Sequence, residues 1–300
     1  MRFAKLILSA SIILMGCGSQ NTKAPMDTTN EGTIRISVEE SFKPIIEQQL
    51  KVFHASFPKA QIIASYKSEI ECFKDFASDS TRMIITTRGL RHEEEEVMKS
   101  HLGFTPTYGI LAYNAVAVVI AKNARDSVFS MQDLSHILTG KNPKEAVMDG
   151  NNLTGIIRFL KDSLVKQNAL GKNVQAAKGS EEVIKYIQNN PNAIGFVGMN
   201  WVGDTYDPKQ VAYQNQIKMG LVECTLCIEK GYFSKPSQST ISQGQYSLSL
   251  PIYYNLKENA PGLGSGFLNF LSEERGQLIF RRAFLVPAKM SFKNRKGMMS

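Results

Sequence analysis

Three segments carry side chains suited to holding a negatively charged oxygen. Glu39-Glu40-Ser41 lies between an alternating apolar run and a helical pattern, so the Ser41 hydroxyl and the Ser41 and Phe42 N–H groups fall at the positive end of a helix dipole. Such a start is either a plain helix cap, which Ser41 alone would satisfy, or an anion cradle. Thr86-Thr87-Arg88 closes a second apolar run at the carboxyl end of a strand, where parallel α/β sheets meet ligands, and the Arg88 guanidinium could grip an oxyanion in a fork. Asn152-Leu153-Thr154-Gly155 is a further loop-to-helix start with a hydroxyl and a glycine. Its place far along the chain puts it on a different part of the fold, and the recurrence favours anion binding over simple capping.

Other chemistry finds little support. Gly262-Leu263-Gly264-Ser265-Gly266 lacks the spacing of a dinucleotide loop and reads as a helix-entry turn. There is no GxSxG and no P-loop, and His54, His92, His101 and His136 form no HExxH. The sequence therefore offers no catalytic set, and neither a cofactor nor a metal is expected. Cys224 and Cys227 fall in Gly220 to Glu229, which reads as a strand, where residues three apart point to opposite faces. With Cys72 they are expected to be buried or incidental thiols rather than a redox or zinc pair, and a disulfide between Cys224 and Cys227 is left open.

The chain opens with Met-Arg-Phe-Ala-Lys and an apolar run from Leu6 to Met15, too short to span a bilayer and shaped like a signal peptide. Leu14-Met15-Gly16-Cys17 matches a lipobox, in which the cysteine takes a diacylglycerol and the peptide is cut ahead of it. Two acyl chains anchor stably where one does not. Residues 1–16 are thus the expected signal peptide, and residues 17–31, polar with little to bury, a lipidated flexible tether. Net charge is +8, and loss of Arg2 and Lys5 with the leader leaves 33 basic against 27 acidic side chains, which weakly favours anionic ligands or surfaces. The late basic cluster, Arg281, Arg282, Lys289, Lys293, Arg295 and Lys296, lacks the aromatic interleaving of a nucleic-acid module and reads as a solvated or membrane-facing surface.

The elements that must position the three segments alternate as in an α/β protein. Strands are expected at Thr33 to Val38, Gln61 to Ser65 and Met83 to Thr87, and helices at Phe42 to Phe57, Glu69 to Ser78 and His92 to Ser100, with Glu93 to Glu96 a solvated face. The apolar run of Thr105 to Ile120 is long enough to carry the chain between two lobes. Further on come helices at Met131 to Leu138 and Ile156 to Gln167, one at Glu181 to Gln188 capped by Ser180, and a strand at Asn192 to Gly198. Tyr206 to Gln245 is irregular, Ser247 to Leu256 is strand, and Phe267 to Ala283 is helix.

In this order the pieces resemble the phosphate-binding proteins of Pst-type ABC importers, members of the periplasmic-binding-protein superfamily, over about Thr33 to Lys289. The resemblance rests on Thr33 to Val38 followed by Ser41-Phe42-Lys43-Pro44, on Ile84-Ile85-Thr86-Thr87-Arg88, and on Ala112 to Ile120. It continues in Asp133 to Gly140, Asn192 to Gly198, and Gly262 to Phe267 with Arg275-Gly276-Gln277. It implies a two-lobed type II binding fold, each lobe a mostly parallel sheet flanked by helices and joined by two crossover strands. Residues 32–112 and 250–300 would form lobe I, and 113–249 lobe II. It further implies a monomeric, lipid-anchored envelope protein, periplasmic or surface-exposed, that delivers phosphate or a similar oxyanion to an ABC importer permease. Family contacts carry over onto Ser41 with the Phe42 N–H, onto Thr87 and Arg88, and onto Thr154-Gly155, where Ile156 loses one hydroxyl. The family's acid before the third strand, which accepts a phosphate proton, would fall on Arg82, so either Glu39, Glu40 or Glu69 replaces it, or the ligand is a different anion, or binding has been lost and the fold serves in sensing or protein interaction.

Overall fold

The computed structural model describes residues 27–78, 80–150 and 154–289. The expected signal peptide and Cys17 lie outside the described residues. In chain order the strands are β1 Gly32–Glu39, β2 Ala60–Lys67, β3 Thr81–Thr86, β4 Thr107–Ala121, β5 Val128–Phe129, β6 Ala146–Asp149, β7 Val174–Ala177, β8 Ile194–Gly198, β9 Ile217–Met219, β10 Leu221–Glu223, β11 Phe233–Ser234, β12 Ser249–Leu256 and β13 Val286–Pro287. The α-helices are α1 Lys43–Ser56, α2 Glu69–Phe76, α3 His92–Leu102, α4 Met131–Leu138, α5 Gly155–Leu160, α6 Ser180–Asn189, α7 Pro208–Gln214, α8 Gln238–Ser242, α9 Leu263–Ser272 and α10 Glu274–Arg282.

One mixed sheet runs through the molecule in the order β2-β1-β3-β12-β4-β8-β6-β7. β1 is parallel to β2 and β3, and β6 is parallel to β7 and β8, while β4 and β12 run antiparallel to their neighbours. The sheet serves two apolar cores. One gathers Ile34, Ile36, Phe42, Phe53, Ile252, Phe267 and Phe280 around β1, α1, α9 and α10. The other gathers Val118, Ile137, Ile156, Ile184, Phe196 and Leu250 around β8, α4, α5 and α6. We call these lobes I and II. β4 passes from one to the other: Leu111 and Ala112 belong to the first core and Ala115 onward to the second, the change falling at Tyr113-Asn114. β12 makes the return crossing, with Leu250 in the second core and Ile252 in the first. Burial on both faces explains why β4 reads as a near-continuous apolar run without clean alternation.

Several expectations need correction. Ser41 does not cap α1: Glu40–Phe42 forms a 3-10 turn, Phe42 precedes α1 without a side-chain cap, and Pro44 fits the first turn. Ser180 is likewise inside α6, with Gly179 ahead of it. Ala146–Asp149 and Val174–Ala177, where the pattern assigned no strand, are strands short enough to leave a weak signal. The helix from Phe267 to Ala283 is two helices, broken at extended Glu273. The strand through Cys224 stops at Glu223, the chain turns, and Cys224 and Cys227 form a disulfide. Asp27 to Glu31, the described part of the expected tether, make ordered contacts. Thr28 bridges Glu31, and the Asp27 carboxylate accepts the Leu263 N–H at 2.8 Å.

Candidate functional site

The carboxyl ends of β1, β3 and β6 bring Glu39, Thr87 and Asp149 to the seam between the lobes. β1 ends in Glu39, whose side chain is fully buried and accepts from both the Ser41 N–H, at 3.2 Å, and the Ser41 hydroxyl. The Ser41 carbonyl faces lobe II and accepts Asn200 Nδ2 at 2.6 Å and Trp201 Nε1 at 2.8 Å. Asn200 is held in turn by Asn114 Nδ2 at 2.5 Å, at the point where β4 crosses. Phe42 turns its ring into the core of lobe I.

Thr87 follows β3, and Glu69 opens α2 after the Ser68–Glu71 capping box. Glu69 Oε2 accepts the Thr87 N–H at 2.8 Å and the Thr87 hydroxyl. Lobe II supplies the other half. Arg158, on α5, donates Nε to Glu69 Oε1 at 2.7 Å and Nη2 to Thr87 Oγ1 at 2.7 Å, and holds Asp162 at 3.0 Å. Gly155 is required here: a Cβ would lie 2.7 Å from Thr87 Oγ1 and 3.0 Å from Glu69 Oε2, so any larger residue would force the lobes apart. Thr154 caps α5, its Oγ1 accepting the Ile157 N–H at 3.4 Å and donating to the Asp149 carbonyl at 2.9 Å.

The seam is acidic, and its acids are buried. Glu39, Glu69 and Asp149 are all buried, and Asp149 accepts from the Ser180 hydroxyl. One oxygen of two of them, Glu39 Oε1 and Asp149 Oδ1, is buried without a donor. Burial, then the charges of Asp149, Glu69 and Glu40, push the Glu39 carboxyl well above the ordinary range despite its bond from Ser41. Burial and the Glu40 charge outweigh the Ser180 bond and push Asp149 up to about 6. Half-buried Glu40 is also raised, by burial and by the Glu71 charge. Among the described residues no three His, Cys, Asp or Glu side chains converge to hold a metal ion.

The sequence-derived residues divide accordingly. Thr87, Thr154 and Gly155 meet at the seam, and Ser41 joins it through Glu39 and through its own carbonyl. Arg88 is engaged within lobe I, forked onto Glu94 at 2.6 and 2.8 Å, bonded to the Gly89 carbonyl and stacked 3.8 Å over the Phe73 ring. Glu94 is therefore not the solvated acid its run suggested. Arg82 sits at the amino end of β3, the opposite end from Thr87. There it pairs with Glu258 at 2.8 Å and Asp27 at 3.2 Å, so the expectation that this position would meet a ligand does not fit its place in the sheet. Sequence reading missed Arg158 and Asp149. The signal for Arg158 was its spacing, four residues after Thr154 and so on the same helix face. For Asp149 it was an acid ending an otherwise apolar strand.

Two lobes crossed by a shared pair of strands, with polar groups of both meeting at the seam, define a solute-binding protein of the two-lobed type. A family profile for the PBP superfamily domain matches residues 23–274, and the chain belongs to that superfamily. It is 20% identical over 309 residues to the phosphate-binding protein PstS of Staphylococcus epidermidis, covering 96% of this chain and 89% of that one. The same protein of Staphylococcus haemolyticus is 20% identical over 310 residues, covering 96% and 92%. Among solved structures the fold is similar to a phosphate ABC transporter substrate-binding protein of Clostridium perfringens with bound phosphate. There the TM-score is 0.69 and the identity 21%, with 86% of this chain and all of the other covered. An ABC-type phosphate transport receptor of Vibrio cholerae superposes with a TM-score of 0.64 at 15% identity, covering 84% and 99%.

Proposed function

We propose that this chain is a lipid-anchored solute-binding protein that closes its lobes on phosphate or a related oxyanion and delivers it to an ABC importer permease. The observation that carries this reading is the donor set at the seam. The Thr87 N–H and hydroxyl from lobe I and the Arg158 guanidinium from lobe II converge on the two oxygens of one carboxylate. Donors that satisfy a carboxylate suit the oxygens of a phosphate equally well. Relatives named as phosphate-binding proteins support the choice of ligand. Ser41, the Phe42 N–H, Thr154 and Gly155 are proposed to complete the site, with Arg88 orienting the rim through Glu94. Attachment through Cys17 after removal of residues 1–16 would keep the receptor near its permease and raise its effective concentration there.

Calorimetric titration with inorganic phosphate tests the reading. Binding that weakens by about tenfold or more in Thr87→Ala, the scale of one charge-assisted hydrogen bond, is expected. Absence of heat with phosphate, sulfate and related anions, in the parent and in folded variants that lack the Glu69 carboxylate, would overturn it. Anchoring is checked separately by mass spectrometry of the envelope-purified protein, where Cys17→Ala should abolish the added lipid mass.

One observation favours a second reading, a binding-protein fold that serves in sensing or protein interaction without phosphate. Glu39, Glu69 and Asp149 already occupy hydroxyl and N–H donors at the seam. A folded protein silent toward every oxyanion, yet isolated from its envelope with a stoichiometric protein partner, would select that reading.

A further inference from the structure

Glu69 is placed where an acid at a helix start is ordinarily read as a partner of the helix dipole. Its carboxylate does something else. Buried to within 3% of full enclosure, it accepts the Thr87 N–H and hydroxyl on one oxygen and the Arg158 guanidinium on the other. One donor group comes from each lobe, and the start of α5 at Gly155 is packed down on the pair. The contacts are those a bound oxyanion would make, and the chain makes them with its own side chain.

We propose that Glu69 is an intramolecular occupant of the anion seat, so that the lobes close on Glu69 when no anion is present and an oxyanion binds by displacing it. This rests on reading the seam as an oxyanion site. Two anions cannot share the seat, since like charges a few ångströms apart in a buried site repel strongly. The displaced carboxylate has somewhere to go: beside it lies a recess of about 620 Å³ bordered by Lys74, Arg91 and Lys161, whose two other acids, Glu94 and Asp162, are already paired with Arg88 and Arg158. Glu69 is the first residue of α2, so rotation of its side chain alone moves the carboxylate without unwinding the helix. A tethered competitor lowers apparent affinity by the fraction of time it fills the seat.

The inference fixes the sign of a mutation. An acid that only contacts the ligand would lose affinity when removed, whereas an internal competitor gains it. Inorganic phosphate is titrated calorimetrically into the full chain, into Glu69→Gln, which keeps the shape, and into Glu69→Ala, which vacates the seat; folding of each is checked by circular dichroism. The expected result is binding about tenfold or more tighter in at least one variant, corresponding to a seat filled by Glu69 more than nine-tenths of the time. Binding seen only in a variant supports the inference too. Unchanged or weaker binding in both variants overturns it and leaves the phosphate reading standing. Absence of heat in all three folded proteins overturns the phosphate reading itself, and the inference with it.

Discussion

Acids meet an arginine at both ends of β3, and the two arrangements differ in what is left over. At the amino end, Arg82 joins Asp27 and Glu258, and the start of α9 adds further donors. Leu263 N–H goes to Asp27, and the Gly264 and Ser265 N–H groups with the Ser265 hydroxyl go to Glu258. Burial works against the charge on Asp27, yet the Leu263 N–H and Arg82 outweigh it and hold the carboxyl below its usual range. At the carboxyl end, three buried acids gather but only Glu69 reaches a guanidinium, and one oxygen each of Glu39 and Asp149 has no donor. There burial wins, and Glu39 and Asp149 titrate upward. Donors in surplus make a fixed clamp, while acids in surplus make a seam whose partners can be exchanged or protonated.

The most severe way to break the comparison is to remove the one arginine from the seam. Arg158→Met would leave Glu69 buried with the Thr87 donors alone. Breaking a buried pair by deleting one partner costs about 3 kcal/mol or more. The lower end applies here, because the Arg158 side chain is 31% exposed and that of Glu69 only 4%. Urea unfolding at neutral pH should show this loss. A loss below about 1 kcal/mol, the scale of an exposed pair, would mean that the seam does not depend on Arg158.

How much of this was legible beforehand follows from where the signals are local. The strand-turn-helix order, the crossing strand β4 and the loop starts at Ser41, Thr87 and Thr154 are written in apolar periodicity and turn chemistry. The wiring of the seam is not. Ser41 carries the residue type of a cap, and only the fold shows that its hydroxyl goes to Glu39, two residues back. Arg88 and Arg158 are equally plausible guanidinium donors by type. Which one reaches Thr87 depends on α5 crossing from the other lobe, a contact between residues 71 positions apart. Arg82 entered only through the family resemblance, and it lies at the amino end of β3, the end that a parallel sheet turns away from its ligand. The disulfide stayed open because Gly220 to Glu229 read as one strand, whereas the strand ends at Glu223 and the turn after it brings Cys224 and Cys227 together.

A gentler variant sharpens the contrast by pH. Asp149 titrates at about 6 in the folded chain against 3.8 ordinarily, so the folded state holds its proton more tightly than the unfolded state. The favourable contribution is complete below pH 3.8 and is lost as pH rises through 6, amounting to about 3 kcal/mol between those limits at 1.36 kcal/mol per unit. Asp149→Asn keeps an acceptor for Ser180 and removes the charge. Thermal unfolding should find the variant more stable than the parent at pH 8, by up to about 3 kcal/mol, with the advantage vanishing toward pH 4. A variant no more stable at pH 8 would show that Asp149 is not held against its charge.

The smallest effect belongs to the clamp. Arg82→Met removes a guanidinium that is 36% exposed, while Glu258 keeps the Gly264 N–H at 3.0 Å and the Ser265 N–H and hydroxyl at 2.7 Å each. No carboxylate is stranded, so the cost should be about 1 kcal/mol, that of a partly exposed pair. It should also change little between pH 6 and 8, because Asp27 titrates well below that window and is ionised throughout. Five residues of strand separate Arg82 from Thr87, about 16 Å, and sites so far apart with no shared partner behave independently. Phosphate affinity measured by calorimetry should therefore match the parent within about twofold, on the scale of the few tenths of a kcal/mol by which independent sites fail to add. A larger shift would mean that β3 transmits strain from clamp to seam, and that its two ends act as one unit.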